Sequence, residues 1–235
     1  MSTVQRAPPA NRLLAALPDG DRRRMLAGCE TVHLAFADVL YTPGEAIDHV
    51  YFPTGSFISL IMPIDESASL EVGMVGDEGM FGVPLPLDVD MSPVSAVVQG
   101  EGPALRMDAA RFRRELARGA ALRRVIDLYV FVHMAQLAQT AGCTRFHVVE
   151  ARLARWLLMT QDRAHSDTFH VTQEFLAIML GVRRVGVTKA ASSLQKRGLI
   201  GYRRGDITVL DRRGLKSASC GCYKADCESY ARVLG

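Results

Sequence analysis

Three thiols crowd the C-terminal end of the chain, Cys220, Cys222 and Cys227, in the spacing C-x-C-x4-C. Thiols that close can take a soft metal ion or pair as a disulfide under oxidation. No fourth ligand stands beside them, so one would have to come from another segment. Cys143 lies far upstream and could report oxidation if exposed; buried, it would be inert. A second group promises a different chemistry. From Leu180 the chain reads LGVRRVGVTKAASSLQKRGLI, in which arginine, lysine, serine and threonine recur at helical spacing. Such a row can be an ordinary solvated surface or a surface built to meet a polyanion.

Charge distribution favours the second. Residues 1–146 carry 13 Lys/Arg against 17 Asp/Glu, a net −4, whereas residues 147–235 carry 15 against 8, a net +7. A polyanion would therefore meet only the C-terminal third.

Wheel positions sort the stretch. Val187, Ala190, Ala191 and Leu194 share one face and can pack on Leu176, Ala177 and Leu180. Val185, Thr188, Lys189, Ser192 and Lys196 fall opposite, with Arg184 at the flank. Upstream, Thr172 suits an N-cap, with Gln173 and Glu174 in a favourable first turn. Gly181 then provides a sharp turn, and a second helix runs from near Arg183 to Lys196–Arg197, stopped by Gly198. Two helices about a glycine turn, the second polar from its first turns, predict a helix-turn-helix whose second helix enters a DNA major groove. Arginine and lysine can take guanine, and threonine can meet a thymine methyl or a phosphate. The segment from Gly198 to Leu210 reads as two strands about a tight turn at Arg204-Gly205-Asp206. That hairpin is a wing, with Arg203 and Arg204 placed for phosphates.

The preceding elements must carry this head. From Val32 to Met107 short runs rich in Val, Ile, Phe, Tyr and Leu are cut by Pro43-Gly44, Pro53-Thr54-Gly55 and Gly100-Glu101-Gly102-Pro103. That spacing predicts an all-β sandwich or barrel. Residues 109–118 are helix formers, and Ala121–Ala141 has no Gly or Pro. Within the latter, Leu122, Ile126, Tyr129 and His133 lie on one face, Leu128, Phe131, Ala135 and Ala138 on the other. A helix apolar nearly all round is buried on both sides. One side would cover the β-domain, and Leu122, Ile126, Tyr129 and His133 would face a second copy of the helix. Gly142 is expected to interrupt it. The next helix buries Leu153, Trp156, Leu157 and Thr160, and AHSDTF (164–169) follows as a polar loop.

The chain resembles the Crp/Fnr family of bacterial transcription regulators, over nearly everything from Leu13 to Leu215. The resemblance is carried by VTQEFLAIMLGVRRVGVTKAASSLQKRGLI and by VLYTPGE, VYFPTGSFISL and VGDEGMFG. It implies an α+β chain: an N-terminal β-roll (double-stranded β-helix or jelly roll) of the cyclic-nucleotide-binding type over 12–118, a dimerisation helix and hinge over 119–146, and a winged helix-turn-helix over 147–219. A cysteine-containing tail, 220–235, completes the division. It implies a homodimer on a near-palindromic DNA operator and allows RNA polymerase as a further partner. The DNA-binding residues expected are Thr172, Gln173, Arg183, Arg184, Val185, Thr188, Lys189, Ser192, Arg203 and Arg204. Family positions matching Arg184, Val185 and Lys189 read bases. Val185 stands where a glutamate is frequent and cannot accept from cytosine N4, so a different operator is expected.

The family's nucleotide cassette is altered. Where the family has a glutamate and an arginine, this chain reads Gly82-Val83-Pro84 and Val94-Ser95-Ala96. A cyclic phosphate there would lack its charged partners. A pocket formed by Gly82, Val83, Val94, Ser95 and Ala96 that takes another effector, or none, is expected. The alternatives are a cyclic-nucleotide-responsive regulator and a metal or redox sensor using Cys220, Cys222 and Cys227. An N-terminal iron–sulfur cluster needs more thiols than Cys29, the only cysteine before residue 140. His33 and His49 are isolated and read as surface or packing residues. No acid–base or metal constellation for catalysis is seen, so neither an enzyme nor a cofactor is expected. A β-roll module whose C-terminal hairpin binds protein is the competing class. The first residues, MSTVQRAPPANRLLAAL, do not read as a secretory signal, and the longest apolar run, Phe57–Ile64, is too short to span a membrane. Reduced thiols and a cytoplasmic location are expected.

Overall fold

A computed structural model describes residues 10–65 and 68–235 of the chain. The start of the segment read as lacking a secretory signal, residues 1–9, lies outside the described residues. The polypeptide divides into two compact units. The first takes in the described residues up to Ile58 together with Val75–Val130, the second Ser59–Met74 and Phe131–Val233.

Two short helices that the sequence reading did not anticipate open the first unit, α1 (Arg12–Ala15) and α2 (Asp19–Ala27). Asn11 caps α1 by accepting from the Leu14 N–H. Its amide donates to the carbonyls of Pro53, at 3.0 Å, and Gly79, at 2.8 Å, so a buried polar side chain is fully used. Seven strands follow: β1 (Glu30–Leu34), β2 (Val39–Tyr41), β3 (His49–Pro53), β4 (Phe57–Pro63), β5 (Ser69–Val75), β6 (Ser95–Gly100) and β7 (Gly102–Asp108). They form two sheets, ordered β1-β7-β3 and β2-β6-β4-β5. β7 pairs antiparallel with β1 and with β3. The expected all-β region is thus present, broken by one 3-10 turn at Leu85–Leu87.

Asp108 caps α3 (Ala109–Arg118), accepting from the Arg111 N–H at 2.8 Å. α3 buries Phe112 edge-on against Phe52, with ring centroids 6.3 Å apart. The long helix α4 (Ala120–Phe146) follows. Tyr129 donates to the Met80 carbonyl at 3.2 Å, and a Cβ on Gly79 would come within 2.2 Å of the Tyr129 hydroxyl. Only glycine admits the ring there.

Two expectations for α4 are corrected. Gly142 does not end it; the helix continues to Phe146. A glycine inside a helix costs only about 1 kcal/mol relative to alanine, and a neighbouring hydrogen-bonded turn outweighs that. The face expected to meet a second copy is also covered within the chain itself. Leu122 and Tyr129 are 2% and 3% exposed within the single chain, and Ile126 and His133 are buried likewise, so none has surface to give a partner. Phe131 and Met134, at 56% and 61%, and Phe146 at the helix end are large apolar residues of this helix that stand exposed.

The second unit holds α5 (Val149–Ala164), β8 (Thr168–His170), α6 (Gln173–Leu180), α7 (Arg184–Lys196), β9 (Ile200–Arg203), β10 (Asp206–Val209), α8 (Arg212–Ala218) and α9 (Cys222–Leu234). α5 buries Leu153, Trp156, Leu157 and Thr160 as expected. The 164–169 segment is not all loop. Thr168–His170 pair with β10 and make a three-stranded sheet, ordered β8-β10-β9. The core of this unit joins α5, α6, α7 and the sheet through Leu157, Leu176, Val187, Leu194, Ile200 and Ile207. Among the described residues no helix is long and apolar enough to cross a membrane.

Candidate nucleic-acid interface and thiol cluster

Thr172 Oγ1 accepts from the Phe175 N–H at 3.1 Å and starts α6 as its N-cap. Gly181 ends α6 at φ 58° and ψ 45°, left-handed backbone that glycine adopts without strain. The chain turns and α7 begins after Arg183. Val187, Ala190, Ala191 and Leu194 are buried. Arg183, Arg184, Val185, Thr188, Lys189 and Ser192 are exposed to solvent in whole or part, with Val185 60% accessible. An apolar side chain so open, among cations, is surface that the core does not use.

Thr188 Oγ1 donates to Gln173 Oε1 at 2.7 Å and lies 3.1 Å from the Arg184 carbonyl. The first turns of α6 and α7 are thereby joined through their side chains. The wing is held to the same place. Tyr202 donates its hydroxyl to the Val171 carbonyl at 3.0 Å, and the Val171 N–H donates to the Gly205 carbonyl at 2.6 Å. Its tip turns through Arg204 (φ 54°) and Gly205 (φ 88°), the pairing a two-residue hairpin favours. Arg203 and Arg204 are exposed. Thr172, Gln173, Arg184, Tyr202, Arg204 and Gly205 line one open cleft. The structure therefore gathers residues from α6, α7 and the wing on one polar face.

The cassette residues lie in the first unit. Ala96 pairs with Tyr41 between β6 and β2, and Val94 is buried. Gly82 presses on Val50, where a Cβ would come within 2.7 Å. Tyr41 stacks on Phe81 at 5.3 Å, and Tyr51 is tilted against Phe81 at 6.4 Å. Aromatic rings thus pack beside the cassette. Cys29, His33 and His49 gather into no ligand group among the described residues. Burial pushes the Cys29 thiol up to about 11.

The thiols are arranged differently from the C-x-C-x4-C expectation. Cys220 and Cys222 meet Cys143 and His147, and the four ligand atoms lie within 4.8 Å of one another. Cys227 is excluded. Five residues along α9 from Cys222, it points about 140° away round the helix and is exposed. Cys143 and His147 lie one helical turn apart, the His147 N–H donating to the Cys143 carbonyl at 3.2 Å. Cys143 Sγ is 3.5 Å from Cys220 Sγ, and Cys222 Sγ is 3.5 Å from His147 Nδ1. The amide of Gln139 donates to Cys222 Sγ at 3.0 Å. The Cys143 thiol is held down at about 4, chiefly by the hydrogen bond from Cys220 against the effect of burial, with help from His147 and the Arg155 charge. Cys220 is pushed up in turn. Arg155 forms a buried ion pair with Asp226 at 2.7 Å. The sequence reading missed His147; the i, i+4 spacing from Cys143 was the available signal.

Comparison with known proteins agrees with the helix-turn-helix of the second unit. Residues 151–218 match the family model of the Crp-like helix-turn-helix domain. No curated protein matches the chain in sequence. Its structure is similar to that of the c-di-GMP responsive global regulator CLP of Xanthomonas campestris (TM-score 0.67, 18% identity, 82% of this chain and 99% of that one). It is similar also to FixK2 from Bradyrhizobium japonicum (TM-score 0.69, 13% identity, 82% and 98%). A CRP/FNR-family transcriptional regulator from Thermus thermophilus gives a TM-score of 0.63 at 21% identity, covering 81% and 98%. The chain thus has the fold of the Crp/Fnr regulators and carries, over residues 151–218, a Crp-like helix-turn-helix domain.

Proposed function

We propose that the protein is a transcription regulator that binds double-stranded DNA as a symmetric dimer. The observation that carries this is the polar face of α7. Arg184, Val185, Thr188, Lys189 and Ser192 stand open to solvent opposite a buried apolar face, beside the wing arginines Arg203 and Arg204. In this reading Arg184 and Lys189 take base edges or phosphates, Val185 meets a thymine methyl, and the wing takes phosphates. The Thr188–Gln173 hydrogen bond leaves the Gln173 amide N–H groups to donate to a phosphate. The division into effector domain, dimerisation helix, DNA-binding domain and tail belongs to the same proposal.

Dimerisation would use the exposed stripe of α4 around Phe131, Met134 and Ala138, because the opposite stripe is consumed within the chain. The altered cassette, with buried Val94 and the packed rings of Tyr41, Tyr51 and Phe81, supports an effector other than a cyclic nucleotide, or none. Selection of bound fragments from random DNA tests the reading. A near-palindromic site with half-sites about one helical turn apart is expected. Retention without sequence preference, or none at low salt, would overturn it.

A further inference from the structure

The cluster at the end of α4 is arranged as a ligand set. A tetrahedral ion with Zn–S bonds of about 2.3 Å and Zn–N bonds of about 2.0 Å holds its ligand atoms roughly 3.5–3.8 Å apart. The two separations across this group, Cys143 to Cys220 and Cys222 to His147, are both 3.5 Å. No pair among the four exceeds 4.8 Å. Sulfurs that bind an iron–sulfur cluster must reach round several metal atoms and stand farther apart, so this space suits a single ion. Three sulfurs and one imidazole nitrogen are a donor set for a borderline-soft, tetrahedral dication.

The surroundings complete the case. Cys143, Cys220 and Cys222 are buried, whereas His147 is exposed and leaves a side for entry. Three thiolates and a neutral imidazole around a dication carry one net negative charge. The Arg152 and Arg155 guanidinium groups both act on the Cys143 sulfur; Asp226 pairs with Arg155, so one positive charge remains to offset that negative charge. Gln139 donates to Cys222 Sγ, the outer-shell contact that steadies a thiolate ligand. Ordinary packing of small apolar thiols accounts for buried sulfur. It does not account for an imidazole nitrogen set 3.5 Å from one of these sulfurs, with two guanidinium charges acting on the group.

We propose that Cys143, His147, Cys220 and Cys222 bind one zinc ion, which ties the last turn of α4 to the start of α9, joining positions 77 residues apart. Binding to the reduced protein displaces the thiol protons to solvent and involves no change of oxidation state. Cys227 takes no part.

The test uses the full reduced chain and Zn²⁺ itself. Stoichiometry is read by elemental analysis after dialysis, and thiol exposure by mass spectrometry after alkylation, with and without zinc. One zinc per chain is expected. The ion should protect Cys143, Cys220 and Cys222 from alkylation while Cys227 still reacts. Co²⁺ should give the intense visible bands of a tetrahedral ion with thiolate charge transfer. Cys227→Ser should bind as the parent does, and His147→Ala should bind about tenfold or more weakly. Circular dichroism of each variant establishes that it is folded. Failure of the reduced chain to retain zinc through dialysis, protection of Cys227 in place of the three, or the weak spectrum of octahedral Co²⁺ would each overturn the site. So would a Cys143–Cys220 disulfide that persists in reductant and leaves no ligands for zinc.

Discussion

Trp156 donates its indole N–H to Glu71 Oε1 at 3.0 Å, and Ser59 donates to the other carboxylate oxygen at 2.6 Å. All three groups lie in the second unit, and Glu71 is buried. Burial pushes its carboxyl up to about 7, against the two hydrogen bonds and the charges of Arg163 and Arg155. The folded protein therefore keeps this proton up to near neutrality, while the unfolded chain releases it at about 4.3. The stability this carboxyl contributes is present in full below the unfolded value and is lost as pH rises through 7. The loss is roughly 3–4 kcal/mol. Urea unfolding of the parent and of Glu71→Gln should diverge by that amount between about pH 4.5 and 7.5, the variant showing the flatter profile. Parallel profiles would refute the assignment.

Arg155 and Asp226 form an ion pair whose side chains are 8% and 9% exposed. Removing one partner of such a pair leaves a buried charge uncompensated and costs about 3–5 kcal/mol. Asp226→Ala should show that loss in chemical denaturation. Joint replacement, Arg155→Met with Asp226→Ala, should recover most of it, because neither charge then remains to be solvated. Equal losses for the single and double variants would mean that packing, and not charge, sets the cost.

The helix-turn-helix was legible because its signals are local. A threonine cap, a left-handed glycine and the period of Val187, Ala190, Ala191 and Leu194 all follow one another within a short stretch of chain. The β-rich first unit was legible from turn residues, although no period announced α1 and α2. The errors have a common origin in tertiary context. Both faces of α4 are apolar, so no wheel can say which one the chain itself covers. β8 is three residues long and gains its strand identity only from pairing with Ile207 and its neighbours. Cys143 and Cys220 meet across 77 residues, a proximity that C-x-C-x4-C cannot express. That spacing suggested Cys227, which helical geometry turns away.

The covered and open faces of α4 give a direct test of the proposed dimer. Ile126→Ala should empty a buried position and cost about 2–5 kcal/mol of stability, leaving the association state unchanged. Met134→Glu should do the reverse, placing charge on the exposed stripe and shifting light scattering from dimer to monomer with little change in unfolding. A dimer that survives Met134→Glu but is lost in Ile126→Ala would return the interface to the first face.

Val83 and Val94 supply neither a carboxylate for a ribose hydroxyl nor a guanidinium for a cyclic phosphate. Cyclic AMP and cyclic GMP should therefore leave DNA affinity unchanged in operator titrations. A ligand that does not distinguish two conformations cannot shift their balance. A tenfold shift at micromolar nucleotide, about 1.4 kcal/mol, would show that another residue provides the missing charge.

Arg184 and Arg204 are both exposed cations, yet they are placed for different work. Arg184 begins α7, whose first turns would enter the major groove, while Arg204 sits on the wing turn with φ at 54°. A base contact discriminates, whereas a phosphate contact acts on every sequence alike. Arg184→Ala should cost roughly 1–3 kcal/mol on the selected operator and relax preference at one base pair of each half-site. Arg204→Ala should weaken specific and random DNA by the same factor and reduce the slope of affinity against salt by about one phosphate contact. Binding curves for both variants on both DNAs, at two or more salt concentrations, separate the roles. If Arg184→Ala lowers affinity equally for operator and random DNA, the arginine positions the helix without reading a base, and sequence recognition must rest on Val185 and Lys189.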